Sequence, residues 1–198
     1  DGNYIAERKF DGSRIVYRYG KFFTQDRYSF RDSRDVTYKF PELIHTPINA
    51  VLDGEMLAES GSFEDTGSRI HLQDKLLIRL NSAKNPLIFW IFDILEIKGE
   101  SVQDLPLYQR KELLKSLVFD NPRFELVDYT EDIRNLWEQI KKEKKEGIVL
   151  KRKDSTYESS KRSYSWQKCK FWKEAVVIGK SYEENPKGIA VMMDNGQR

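Results

Sequence analysis

The run PLIFWIFDIL at residues 86–95 is the longest apolar stretch of the chain, and it settles more about the fold than any other segment. It is about half as long as the roughly 20 residues that a membrane-spanning helix needs. Bounded by Pro86 and Gly99, it reads as a buried strand over residues 87–97. Such a strand must lie inside a sheet that other elements cover. The chain can supply that cover, because 39% of its 198 residues are hydrophobic, enough for one sizeable domain. A lone cysteine, Cys169, rules out an internal disulfide, and two histidines without a CxxC or CxxH pattern give no zinc signature. Nothing at the N-terminus resembles a signal peptide. The expectation is an intracellular protein of a reducing compartment, cytoplasmic or nuclear, with no membrane partner.

Elements of both kinds surround that strand. Residues 13–26, SRIVYRY then GK then FFTQD, read as a hairpin about a glycine turn. AVLDGEMLAE, 50–59, reads as a strand with a glycine kink at its centre. Within the polar segment 60–85, RIHLQDKLLIRLNS suggests one short helix. Asp104 as a cap and Pro106 in the first turn open a helix with Leu107, Leu113, Leu114 and Leu117 on one stripe. Another helix is expected from Thr130, burying Ile133, Leu136, Trp137 and Ile140 and stopping before Gly147, where the strand GIVLKR begins. WQKCKFWKEAVVIG adds one or two strands. The fold class is therefore α+β, with mainly antiparallel sheets flanked by helices. The chain opens abruptly and stops at DNG, the tip of a hairpin without its return strand, so it reads as an excised piece.

Charge is unevenly spread. Residues 141–173 hold twelve Lys or Arg against four acids, while the whole chain is only +2. With Tyr157, Tyr164, Trp166, Phe171 and Trp172 interleaved, this basic segment suits phosphates or a nucleic-acid backbone. Lysines 141–145 read more simply as a solvated helix end, where cations complement the carbonyl pole.

The stretch ERKFDGSRI, 7–15, sets Lys9 among Arg8, Arg14 and a turn at Asp11 and Gly12. An ordinary lysine with a pKa of about 10.4 is the free amine in only about 1 in 2,500 molecules at pH 7, a deficit of roughly 4.6 kcal/mol. Desolvation and neighbouring positive charge reduce that deficit and make a nucleophile of an amine. Alone, a KxDG tetrapeptide is more often a turn. Here it is followed in order by LDGEM with Glu55, FWIFDIL with Phe92 and Asp93, EGIVLKR with Glu146, and KRSYSWQKCK with Arg162, Lys168 and Lys170.

Together these stretches resemble the ordered motifs of the covalent nucleotidyltransferases: ATP-dependent DNA ligases, RNA ligases and messenger-RNA capping enzymes. The resemblance covers about 170 residues. KFDGSR, DVTYKFPEL at 35–43, LPLYQRKELL and EGIVLKR are most similar to the DNA ligases of archaeal or eukaryotic type. It implies a nucleotidyltransferase (ATP-grasp-like) adenylation domain over 1–173, with 174–198 as the opening of an OB-fold domain cut short. It implies three steps: a lysine takes AMP from ATP, AMP passes to the 5′-phosphate of a nick in double-stranded DNA, and the 3′-hydroxyl seals the strand. Mg²⁺ is the implied metal, with Mn²⁺ a possible substitute. Further implied are an OB-fold domain and an N-terminal DNA-binding domain in the same polypeptide, acting as a monomer.

By the same resemblance Lys9 is the nucleophile, and Glu7 reads the adenine amino group. Arg14 lies near ribose and phosphates, and Glu55 contacts ribose or supports metal. Phe92 stacks on the adenine and Val149 covers its other face. Glu146 is the metal-associated carboxylate. Lys168 and Lys170 neutralise the α-phosphate, with Arg162 just upstream, since charge developing on phosphorus needs fixed cations. The family's Ser-Arg before DVT is replaced by Phe30-Arg31; counting back from Asp35 selects Arg31, counting forward from Arg14 selects Arg27. Asp93, Trp90, Trp137 and Trp166 read as structural. Two other functions compete: an RNA ligase or GTP-using capping enzyme of the same superfamily, and a non-catalytic nucleic-acid-binding module built on residues 141–173.

Overall fold

A computed structural model describes residues 2–24, 33–44, 47–159, 163–171, 179–185 and 188–193, with backbone alone for the last two segments. Residues 87–97 do form the strand about which a sheet is built. The larger sheet contains β2 (Ser13–Arg18), β3 (Lys21–Thr24), β4 (Ala50–Ala58), β5 (Leu87–Ile97), β6 (Glu100–Ser101) and β7 (Phe124–Leu126). Its order is β3-β2-β4-β5-β6, all antiparallel, and β7 pairs with β5 in parallel. The smaller sheet contains β1 (Tyr4–Lys9), β8 (Tyr129–Thr130), β9 (Gly147–Arg152) and β10 (Trp166–Lys170), in the order β10-β9-β1-β8. Residues 179–185 and 188–193 pair as a separate antiparallel hairpin, β11 and β12. The expected hairpin tip at DNG lies outside the described residues.

The larger sheet buries one face in an aromatic and aliphatic core that includes Ile15, Tyr17, Phe22, Leu52, Met56, Phe89 and Ile91. Edge-to-face rings of Phe22, Phe40, Phe89 and Phe124, with centroids 5.5–5.7 Å apart, fill its centre. The smaller sheet turns Ala6, Ile148, Leu150 and Cys169 toward α4 (Ile133–Lys142), whose Leu136, Trp137 and Ile140 complete that core. A third cluster of Val16, Val51, Leu95, Tyr157 and Trp166 joins the two sheets.

Several expected elements differ in detail. Residues 60–85 form two helices, α1 (Phe63–His71) and α2 (Lys75–Lys84), because Ser62 and Asp74 each cap an N-terminus through a side-chain oxygen. Thr130 belongs to β8; Asp132 caps α4, accepting from the Asn135 N–H at 3.1 Å. Asp104 does not cap α3 (Leu107–Lys115), whose N-cap is Pro106. The buried face of α3 is Leu107, Arg110, Lys111 and Leu114, so two cations share a stripe that hydrophobicity alone assigns to leucines. They are tolerated because each meets a buried carboxylate: Arg110 holds Asp93 with two hydrogen bonds of 2.8 and 2.9 Å, and Lys111 pairs with Glu7. No described helix is long and apolar enough to cross a membrane.

Candidate active site

Strand register assembles the first half of the site. Lys9 lies opposite Gly147, which lies opposite Lys170; Glu7 lies opposite Val149, which lies opposite Lys168. Ile5, Lys151 and Trp166 form the next row. Side chains alternate along a strand, so residues two apart share a face, and these three rows form one surface across β1, β9 and β10. The intervening residues are those packed on α4. Gly147 lets β10 approach, since a Cβ there would collide with the Cys169 carbonyl.

The larger sheet supplies the other half. Arg14 on β2 lies opposite Glu55 on β4. Asp53, two residues from Glu55, takes Arg14 Nε and Nη2 at 3.0 and 2.5 Å. Phe92 owes its position to a bulge: Asp53 pairs with Asp93 and Gly54 with Ile91, leaving Phe92 as the extra residue of β5. Bulges re-aim side chains next to sites. The turn after β1 is pressed onto β4 at Gly12, where a Cβ would strike the Met56 carbonyl and come within 2.9 Å of Glu55 Cγ. Gly12 is thus required for close approach, and it is not among the residues with positive φ that a left-handed turn would need.

These placements concentrate charge around one amine. Lys9 Nζ lies 2.5 Å from Glu146 Oε2, and Lys170 Nζ lies 2.6 Å from the other oxygen. Lys9 and Glu146 are 14% and 15% exposed, so this contact is largely out of water. Burial works against ionising Glu146, but the hydrogen bonds from Lys170 and Lys9 carry its carboxyl below the ordinary value. Burial pushes Glu55 up to about 7, opposed by Lys9 and Arg14. Lys168 is lowered by burial first, then by repulsion from Lys9 and Arg14. Deeper in, Glu7 is held between Lys111 and Lys151, the latter at 2.6 Å. Lys151 also sits 4.6 Å from the Phe92 ring centroid and 4.0 Å from that of Trp166. Its burial lowers it to about 8.

The donor set suits a divalent cation carried in on phosphate. Lys9 bonds Glu146 just before β9 and its charge acts on Glu55 of β4, and no cluster of three or more His, Cys, Asp or Glu exists among the described residues. Mg²⁺ asks no more of a protein when phosphates and water complete its shell.

Of the residues singled out from sequence, Glu7, Lys9, Arg14, Glu55, Phe92, Glu146, Val149, Lys168 and Lys170 converge here. Arg31, its alternative Arg27, and Arg162 lie outside the described residues. Sequence reasoning missed Asp53, Lys111, Lys151 and Tyr157. Lys151 was within reach, since it stands two residues beyond Val149 on the same strand face. Lys111 and Tyr157 arrive from a helix and a loop; LPLYQRKELL contains the first and the basic segment 141–173 the second, but neither context assigns it a partner. Asp93 faces Arg110 and accepts the Ile94 N–H at 2.9 Å.

The chain is similar to known proteins over most of its length. The profile of the ATP dependent DNA ligase domain matches residues 1–170. The SPbeta prophage-derived DNA ligase-like protein LigB of Bacillus subtilis is 37% identical over 172 residues, 85% of this chain and 61% of its own length. DNA ligase 1 of Methanosarcina barkeri is 27% identical, with 90% of this chain and 36% of that protein aligned. DNA ligase 4 of Dictyostelium discoideum is 33% identical over 84% of this chain and 17% of its own. Bacterial, archaeal and eukaryotic relatives all appear, so the archaeal or eukaryotic branch is not singled out. The chain spans about three fifths of LigB and about a third of the archaeal ligase. Mycobacterial DNA ligase D, solved with ATP and MES, superposes with a TM-score of 0.65 at 27% identity, covering 89% of this chain and 57% of that one. A Lig E DNA ligase shares the fold, with a TM-score of 0.68 at 20% identity, covering 99% and 75%. The chain belongs to the ATP dependent DNA ligase domain family.

Proposed function

We propose that Lys9 takes AMP from ATP and that the adenylate serves to seal nicks in double-stranded DNA. The observation that supports this most is Lys9 Nζ 2.5 Å from the largely buried Glu146, with Lys170 on the same carboxylate and Phe92 on a bulge of the facing sheet. In the first step Lys9 Nζ bonds to the α-phosphorus as the bond from that phosphorus to the pyrophosphate oxygen breaks. The ammonium must first lose a proton, and the Glu146 carboxylate, 2.5 Å away, is the acceptor in place. Lys168 and Lys170 face the charge developing on phosphorus, and Arg14 presents a guanidinium beside Glu55. Phe92 stacks on the adenine, Val149 packs against its other face, and Glu7 accepts from its amino group. Glu146 and Glu55 would hold Mg²⁺ or Mn²⁺, whose chemistry when bound is to neutralise phosphate charge.

AMP then passes to a 5′-phosphate at a nick, and the neighbouring 3′-hydroxyl displaces it. These later steps draw on an OB-fold domain, for whose opening strands the hairpin of residues 179–185 and 188–193 is the candidate, and on a DNA-binding domain of the same polypeptide. The enzyme works as an intracellular monomer. Intact mass is the direct test, taken as isolated, after ATP with Mg²⁺, and after excess pyrophosphate with Mg²⁺. An added AMP that maps to Lys9, reverses with pyrophosphate and is absent from Lys9→Ala is the expected result. An adduct that persists in Lys9→Ala, or a chain that neither reacts with ATP nor binds it, refutes the assignment.

A further inference from the structure

The Arg14–Asp53 pair has a third member that none of the motifs contains. Tyr157, on the segment between β9 and β10, donates its hydroxyl hydrogen to Asp53 Oδ2 at 2.6 Å and accepts from Arg14 Nη2 at 3.0 Å. Asp53 is fully buried and Tyr157 nearly so, whereas 38% of the Arg14 side chain is exposed. The guanidinium is therefore gripped along its Nε–Nη2 edge, and its Nη1 bonds to nothing among the described residues. Burial and the Asp53 charge both raise the phenol, so it stays a neutral donor.

Tyr157 is itself firmly placed. Its backbone N–H reaches Gln103 O at 2.8 Å, and its ring meets Trp166 edge-on at 6.0 Å. Two residues earlier, Ser155 O accepts from Arg110 Nη1 at 3.0 Å, and Arg110 is locked onto Asp93 of β5. The hydroxyl thus brings a fixed point of the loop after β9 to bear on an arginine of β2. Space-filling alone would need only the ring.

The geometry points to Tyr157 as a positioning residue for lysine adenylation, acting through Arg14 to hold the guanidinium against the nucleotide. This rests on the adenylation reading above. The test is a double-mutant cycle of Tyr157→Phe and Arg14→Ala, following AMP addition to Lys9 by mass against ATP concentration, with thermal melting of each variant. Tyr157→Phe should lower the rate at limiting ATP about 10-fold, the size of one lost charge-assisted hydrogen bond, mainly by raising the half-saturating ATP. In the Arg14→Ala background the same change should alter the rate less than about 2-fold, although both backgrounds lose melting temperature. An equal loss in both backgrounds, or no loss in either, overturns the inference and leaves Tyr157 structural. A wild-type chain that neither forms the adduct nor binds ATP refutes the adenylation reading itself, and the role of Tyr157 falls with it.

Discussion

Replacing Glu55 by Gln should remove a pH-dependent strain from the folded chain. Burial raises this carboxyl from the ordinary 4.5 to about 7 despite Lys9, Arg14 and Lys168 around it. At about 1.4 kcal/mol per pH unit, that difference corresponds to about 3 kcal/mol. Its sign is fixed by proton binding. Below pH 4.5 the group is protonated folded and unfolded, and contributes nothing. Between 4.5 and 7 the folded chain keeps a proton that the unfolded chain has released, so stability falls as pH rises. Above 7 the whole penalty is present. The substituted glutamine has the same shape and no proton to lose, so the other titrations cancel in the comparison. Urea unfolding of wild type and Glu55→Gln at pH 4.5, 6 and 8 should show the variant gaining about 3 kcal/mol relative to wild type from the lowest pH to the highest, with unchanged m-values. A stability difference that stays flat across that range would refute the reasoning. The gain should come with loss of the adduct, because the charge that destabilises the fold is one that a phosphate-borne cation needs.

Three further outcomes follow from the geometry. Glu146→Gln leaves Lys9 and Lys170 facing each other without their shared counter-charge, and AMP addition to Lys9, timed by mass spectrometry, should slow at least about 100-fold; a rate within threefold of wild type would remove Glu146 from the mechanism. Phe92→Ala should weaken ATP binding about 10-fold by calorimetry, the value of one base–aromatic stack, with a melting temperature close to wild type because the ring is only part-buried. Gly12→Ala drives a methyl into the Met56 carbonyl and Glu55 Cγ, and should cost about 2 kcal/mol in urea unfolding and misplace Glu55; an undisturbed, fully reactive variant would show that the turn yields freely.

The elements that carry their own signals were legible. The apolar run bounded by Pro86 and Gly99 is β5, the alternation after Gly12 is the β2–β3 hairpin, and GIVLKR is β9. Period-two spacing is enough to put Lys168 with Lys170, and Glu7 with Lys9, on one strand face. Less legible were elements fixed by a single capping oxygen, such as the break between α1 and α2 at Asp74. The leucines of the α3 stripe do face the core, but Arg110 and Lys111 beside them were not legible, because a buried cation is tolerated only where a carboxylate waits, and Asp93 and Glu7 lie far away in sequence.

By itself the sequence determined which residue types are available and in what order: one lysine in KFDG, two acids in LDGEM, one acid at the head of EGIVLKR, and two lysines flanking Cys169. Tertiary structure alone decided the rest. Register between β1, β9 and β10 turned three separate stretches into rows, and a one-residue bulge aimed Phe92. Asp53 and Tyr157, 104 residues apart in the chain, together took hold of Arg14. Local propensity acts over a few residues, whereas register, bulges and buried charge pairs are set by contacts that exist only once the two sheets have met.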